Sequence, residues 1–83
     1  MISKIDHIGI AVSNLEETVK LYTEFLGLKV EKTETHAEQK VNVAFLPIGD
    51  TEFELLEPND PESAIAKFIK SRGEGIQHIA LRV

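Results

Sequence analysis

Two histidines, His7 and His78, sit in stretches that read almost alike: IDHIGIAV over residues 5–12 and IQHIALRV over residues 76–83. Ile, His, Ile and Val recur at matching places. Two short apolar strands share residues by chance, and a single strand histidine is more often satisfied by hydrogen bonds than used as a ligand. A histidine at the equivalent place in both copies of a repeat makes a shared site the better reading. Neutral imidazole is the commonest metal ligand near neutral pH. Glu54 is the third candidate, set between Phe53 and Leu55-Leu56. A buried carboxylate without a partner is costly. The cost is avoided if residues 52, 54 and 56 face water, if a lysine pairs with Glu54, or if a cation does. Leu56 on the same face counts against water, and a cation would also use both histidines. His, His and carboxylate make an N/O donor set, suited to Zn²⁺, Co²⁺, Ni²⁺, Mn²⁺ or Fe²⁺.

The elements that must position these residues follow from the hydrophobic period. Residues 4–12 alternate as a strand, with bulky Ile8, Ile10 and Val12 on one face and Ile5, His7, Gly9 and Ala11 on the other. This predicts a packed face opposite a roomier, cavity-lining one. A helix over about 14–26 follows, capped by Asn14 with Glu17 as the reciprocal partner. Leu15, Val19, Tyr22 and Leu26 form its apolar stripe, and Gly27 is its stop. Residues 28–34 read as a short strand, and residues 36–39 as a polar connection. Strands over 41–47 and 51–57 flank the turn Ile48-Gly49-Asp50. Asp60 followed by Pro61 predicts the cap and first turn of a second helix over about 61–72. Ala64, Ile65, Phe68 and Ile69 supply its apolar face, and Gly73 ends it. Residues 75–83 are a last strand.

The order is β-α-β-β-β, then α-β. One module over 1–58, a linking helix over 59–74, and the first strand of a second module over 75–83 account for the echo. Because residues 76–83 resemble residues 5–12, the last strand is also a competitor for the first strand's place in the sheet. It could displace His7 or be exchanged between chains.

Length and composition bound the rest. Eighty-three residues fit one small domain of modest stability. With 14 acidic and 9 basic residues the formal charge is −5, which argues against a nucleic-acid partner. There is no cysteine, hence neither a disulfide framework nor a thiolate metal site. No apolar run approaches the ~20 residues of a membrane span. The start has no basic region leading into a long apolar stretch. The expectation is a soluble cytoplasmic protein. Phosphate-binding glycine loops, HExxH and G-x-S-x-G are missing. His36 reads as a solvated loop histidine, Glu52 and Glu57 as surface charges, and Lys67, Lys70 and Arg72 as a solvated helix face.

IDHIGIAV followed by NLEETVKLYTEFLGL resembles the opening of the vicinal-oxygen-chelate (glyoxalase/bleomycin resistance/dioxygenase) superfamily. VAFLPIGDTEFELLEP, then DPESAIAKFIKSRGEGIQHIALRV, is similar to methylmalonyl-CoA epimerases in particular. The resemblance covers essentially the whole chain and is most specific from Val43 to Val83. It implies an α+β, glyoxalase-like fold in which βαβββ modules curve around one divalent metal. It implies His7, Glu54 and His78 as metal ligands, with a fourth family ligand beyond the last residue here. Co²⁺ is the first expectation for the ion, with Zn²⁺, Ni²⁺ and Mn²⁺ as alternatives. The implied activity is an isomerase's: proton transfer at the carbon alpha to a thioester, through a stabilised enolate, on an acyl-CoA substrate. The chain looks truncated, so that it could be inactive alone, and a homodimer, with or without strand exchange, is expected. No carboxylate lies within 41–45, so the acid and base are unassigned. A lactoylglutathione lyase-like enzyme and a non-catalytic dimeric binding module are the alternatives.

Overall fold

The computed structural model describes residues 1–83. Its elements are β1 (Lys4–Ala11), α1 (Leu15–Phe25), β2 (Lys32–His36), β3 (Val41–Ile48), β4 (Thr51–Pro58), α2 (Ala64–Arg72) and β5 (Gly75–Arg82). All five strands join one mixed sheet in the order β2-β3-β4-β1-β5. Strand β1 runs parallel to β4, and the other pairings are antiparallel. This is the expected α+β arrangement with its βαβββ order. β5 does not take the place of β1. It adds beside it, because the two histidine strands are mutually complementary as an antiparallel pair. No helix is long and apolar enough to cross a membrane.

Alternation along the strands builds two apolar clusters, one on each face. Val12, Ala44, Leu46 and Leu55 are buried under α1, which contributes Leu15, Val19 and Tyr22. Ala11, Val41, Val43, Phe45 and Leu56 are buried with Ile65 of α2, against which Phe68 and Ile69 also pack. The predicted division of β1 into a bulky and a small-residue face therefore corresponds to the α1 side and the α2 side. Leu26 departs from the predicted stripe: it lies past the end of α1 and is 60% exposed.

Helix ends follow local chemistry, with two corrections. Asn14 caps α1 by accepting the Glu17 N–H, but the Glu17 carboxylate does not return a bond to the Asn14 N–H, and the free Leu15 N–H donates to Glu57 Oε2. The second helix begins at Ala64, not near 61. Asp60 Oδ1 accepts the Glu62 N–H in a separate turn, and Ser63 Oγ accepts the Ala66 N–H as the cap. Gly27 and Gly73 terminate their helices at φ +70° and +82°, where other residues are strained. Strand β2 forms over 32–36 instead of 28–34. The Leu28 N–H still donates to Tyr22 O as the chain leaves α1, and Leu28 and Val30 are drawn into the core. Pairing with β3 starts at Lys32 and carries His36 into the sheet, opposite Val41.

Candidate metal and active site

His7 and His78 meet across the β1–β5 pairing. Their rings lie edge to face, with centroids 5.1 Å apart, and their Nε2 atoms are 3.1 Å apart. His78 reaches this position because Gly9 is its partner in the opposite strand. A Cβ on Gly9 would stand 2.1 Å from His78 Cε1, so only glycine lets the ring lie across β1.

The other ring nitrogens are engaged. His7 Nδ1 lies 2.9 Å from Asp6 Oδ2 and 3.4 Å from Glu54 Oε2. Both are carboxylate oxygens, so Nδ1 carries the proton and donates. His78 Nδ1 donates to Gln77 Oε1 at 2.5 Å. Asp6 is also bound by Arg82, whose Nε donates to Oδ1 at 3.1 Å. The bonds from His7, then from Arg82, hold the Asp6 carboxyl down to about 2. His7 and Glu54 are largely enclosed, with side chains 22% and 19% exposed.

Neutral rings with protons on both Nδ1 atoms present two Nε2 lone pairs to each other. Such a contact is satisfied by an electron-pair acceptor, either a proton or a metal ion. The 3.1 Å separation suits two nitrogens sharing one ion at about 2.0–2.1 Å each. The donor chemistry therefore fits a divalent cation. Glu54 stands on the Nδ1 side of His7, and no three His, Asp or Glu donors converge on one point. The structure thus brings the three expected residues together as a histidine pair with a neighbouring carboxylate.

All three line a cavity of about 560 Å³ on the α2 side of the sheet, floored by Val41, Val43 and Leu56. The start of α2, with Ser63 and Ile65, forms its lip. His36 also lines it, from β2 at the edge of the sheet away from β5. The sequence reading of His36 as a solvated loop residue is corrected here. His36 Nε2 donates to Glu34 Oε1 at 2.8 Å, and Nδ1 faces Gln39 Oε1 at 3.2 Å. The Glu34 bond raises the His36 pKa above its ordinary value, and the same bond lowers that of Glu34. The signal that could have found His36 is its parity with Glu34 and Lys32 on a strand that begins later than expected.

Glu52 and Glu57 are not plain surface charges either. Both are half-buried. Burial pushes the Glu52 carboxyl up. Glu57 accepts the Leu15 N–H and the Asn42 side-chain amide, tying α1 to β3 and β4.

Comparison with known proteins agrees with this layout. Residues 6–83 match the model of the Glyoxalase/Bleomycin resistance protein/Dioxygenase superfamily. The uncharacterized protein YqjC of Bacillus subtilis is 42% identical over 78 residues, covering 94% of this chain and 56% of that protein. Human mitochondrial methylmalonyl-CoA epimerase is 35% identical over 83 residues, covering 99% of this chain and 47% of the relative. The Streptomyces coelicolor methylmalonyl-CoA epimerase, solved in complex with 2-nitronate-propionyl-CoA, superimposes with a TM-score of 0.93 at 40% identity, over 98% of this chain and 60% of that one. The chain spans about half the length of the curated relatives it matches. With a family match over nearly all its residues and the same fold as its solved relatives, this chain belongs to the glyoxalase/bleomycin resistance protein/dioxygenase, or vicinal-oxygen-chelate, superfamily.

Proposed function

We propose that this chain carries the metal-binding part of an acyl-CoA epimerase, acting on methylmalonyl-CoA by moving the proton at the carbon between the thioester and the carboxylate. The observation that carries this reading is the facing pair of His7 and His78 Nε2 atoms beside Glu54, at the wall of a cavity. The epimerase names of several relatives support the substrate class.

His7 and His78 would hold the ion through their Nε2 atoms, and Glu54 would join them by turning from the Nδ1 side of His7, with Co²⁺ first and Zn²⁺, Ni²⁺ or Mn²⁺ as alternatives. The chemistry a divalent ion would supply if bound there is charge stabilisation of an enolate. Asp6 and Gln77 keep the two rings oriented. The apolar floor of Val41, Val43 and Leu56 excludes water from the acyl group. Among the titratable groups lining the cavity, which include Glu38 and Glu62, His36, backed by Glu34, is the one we assign to carry a proton between substrate and solvent.

Residues 1–58 act as the first module, 59–74 as its link, and 75–83 as the opening of the second. Strands β2 and β5 border the sheet, and Ile76, Ile79 and Leu81 of β5 are more than half exposed. Exposed strand edges invite pairing with another chain, and a homodimer answers that here. Sedimentation at micromolar concentration is expected to return twice the chain mass; a monomer at all concentrations would refute the dimer.

The activity is tested by incubating the chain with methylmalonyl-CoA in D₂O, with and without Co²⁺. Deuterium is expected to enter at the carbon between the carbonyls, only with the ion, and to be lost in His7→Ala. Tight Co²⁺ binding with no exchange would sink the epimerase reading and leave a binding module.

A further inference from the structure

The β1–β5 pairing is regular except at two steps. Ile5 stands opposite Leu81 and His7 opposite Ala80, which leaves Asp6 as an extra residue on β1. Gly9 stands opposite His78 and Ile10 opposite Ile76, which leaves Gln77 as an extra residue on β5. Each extra residue immediately precedes a histidine of the pair. In an unbroken strand, neighbouring side chains point to opposite faces, so neither could reach the ring that follows it. A bulge bends the strand and re-aims a side chain. Here both bulges turn the preceding side chain onto the next residue's Nδ1: Asp6 Oδ2 on His7 at 2.9 Å, Gln77 Oε1 on His78 at 2.5 Å. The two devices differ in charge. Asp6 is an anion also gripped by Arg82; Gln77 is neutral.

We infer that Asp6 and Gln77 are paired positioning residues that, through matching β-bulges, keep the proton on Nδ1 of His7 and His78 and so reserve both Nε2 lone pairs for a single shared cation. Partners of this kind fix the tautomer of a ligating histidine and raise its basicity. Asp6, being charged, makes His7 the stronger donor of the two. Gly9 completes the device by leaving room for the His78 ring. The inference builds on the cation-site reading but is independent of any substrate.

The test is imidazole ¹⁵N NMR on the metal-free chain, at a pH well above the ordinary imidazole range of about 6.5, followed by Co²⁺ titration. Without an ion the two Nε2 atoms are expected to move apart and take water, and wild type to show Nδ1–H on both His7 and His78. Asp6→Ala is expected to shift His7 toward the Nε2–H form, because Glu54 Oε2 at 3.4 Å is too distant to hold the proton as Asp6 does, and to leave His78 unchanged; Gln77→Ala does the reverse. Asp6→Asn keeps an oxygen acceptor in place, so it restores the Nδ1–H form while its lost charge still weakens Co²⁺ binding. This variant also covers the case in which Asp6→Ala fails to fold after losing Arg82. Affinity should fall about 10–100-fold in Asp6→Ala and Gln77→Ala. Nε2–H on either histidine of the wild type, or tautomers indifferent to these substitutions, would overturn the inference. The expected tautomers without any Co²⁺ binding would uphold the positioning role and reject the cation-site reading.

Discussion

The two faces of the sheet are made by alternate residues of the same strands, yet they are finished differently. On the α1 side, Val12, Ala44, Leu46 and Leu55 are sealed by the helix and by Leu28, Val30 and Phe53. On the other side the nine-residue α2 covers only part of the sheet. Its Ile65 packs on Val41, Val43 and Leu56; beyond it the wall is His7, Glu54 and His78. Both faces carry buried core, but only the α2 side leaves part of the sheet uncovered, and the candidate chemistry lies there. The small residues Gly9 and Ala11 mark the change, since they leave space where the bulky Ile8 and Ile10 fill it.

The contrast breaks most visibly in the closed face. Leu46 is fully buried, and Leu46→Ala is expected to cost about 2–5 kcal/mol through lost burial and a cavity. Urea unfolding measures it, and a cost below about 1 kcal/mol would show that this face is not the tight one. Gly9→Ala probes the open face. The new methyl collides with the tip of the His78 ring rather than with backbone, so the ring swings away and the fold persists. Co²⁺ affinity should fall about tenfold or more, with the urea midpoint nearly unchanged. Unaltered affinity would mean that the histidine pair does not form the cation site.

The smallest effect belongs to the cavity's far edge. The lowered pKa of Glu34 makes its contribution to stability present above its ordinary 4.5 and lost as pH falls through its folded value. The raised pKa of His36 makes its contribution present below its ordinary 6.5 and lost as pH rises through its folded value. The Glu34–His36 pair therefore supports β2 most between about 4.5 and 6.5. Amide exchange in β2 should be slowest in that window, after correction for the intrinsic pH dependence of exchange, and His36→Gln should flatten the profile. Because the pair is solvent-accessible, the change is small. A profile that is flat in the wild type would remove the pair from the account.

Much of this was legible in the residue pattern. Period-two alternation in IDHIGIAV separated the two faces of β1, and the capping Asn14 and the stops at Gly27 and Gly73 stand where expected. Misreadings cluster where several local options have similar energies. Asp60 and Ser63 are both able to cap a helix, and the competition went to the residue whose hydroxyl meets the Ala66 N–H. His36 and Glu57 looked like solvent groups because their partners, Glu34 on the same strand and Leu15 of α1, become visible only when the chain is folded.

Side-chain type and period were enough to specify the elements, the apolar faces and the three candidate donors, because these depend on neighbours a few residues apart. Folding alone decided that β5 lies antiparallel beside β1, that bulges fall at Asp6 and Gln77, and that His7 and His78 meet Nε2 to Nε2. Those outcomes depend on strand register between segments some seventy residues apart. A one-residue shift there costs little locally but exchanges every side chain between the closed face and the open one.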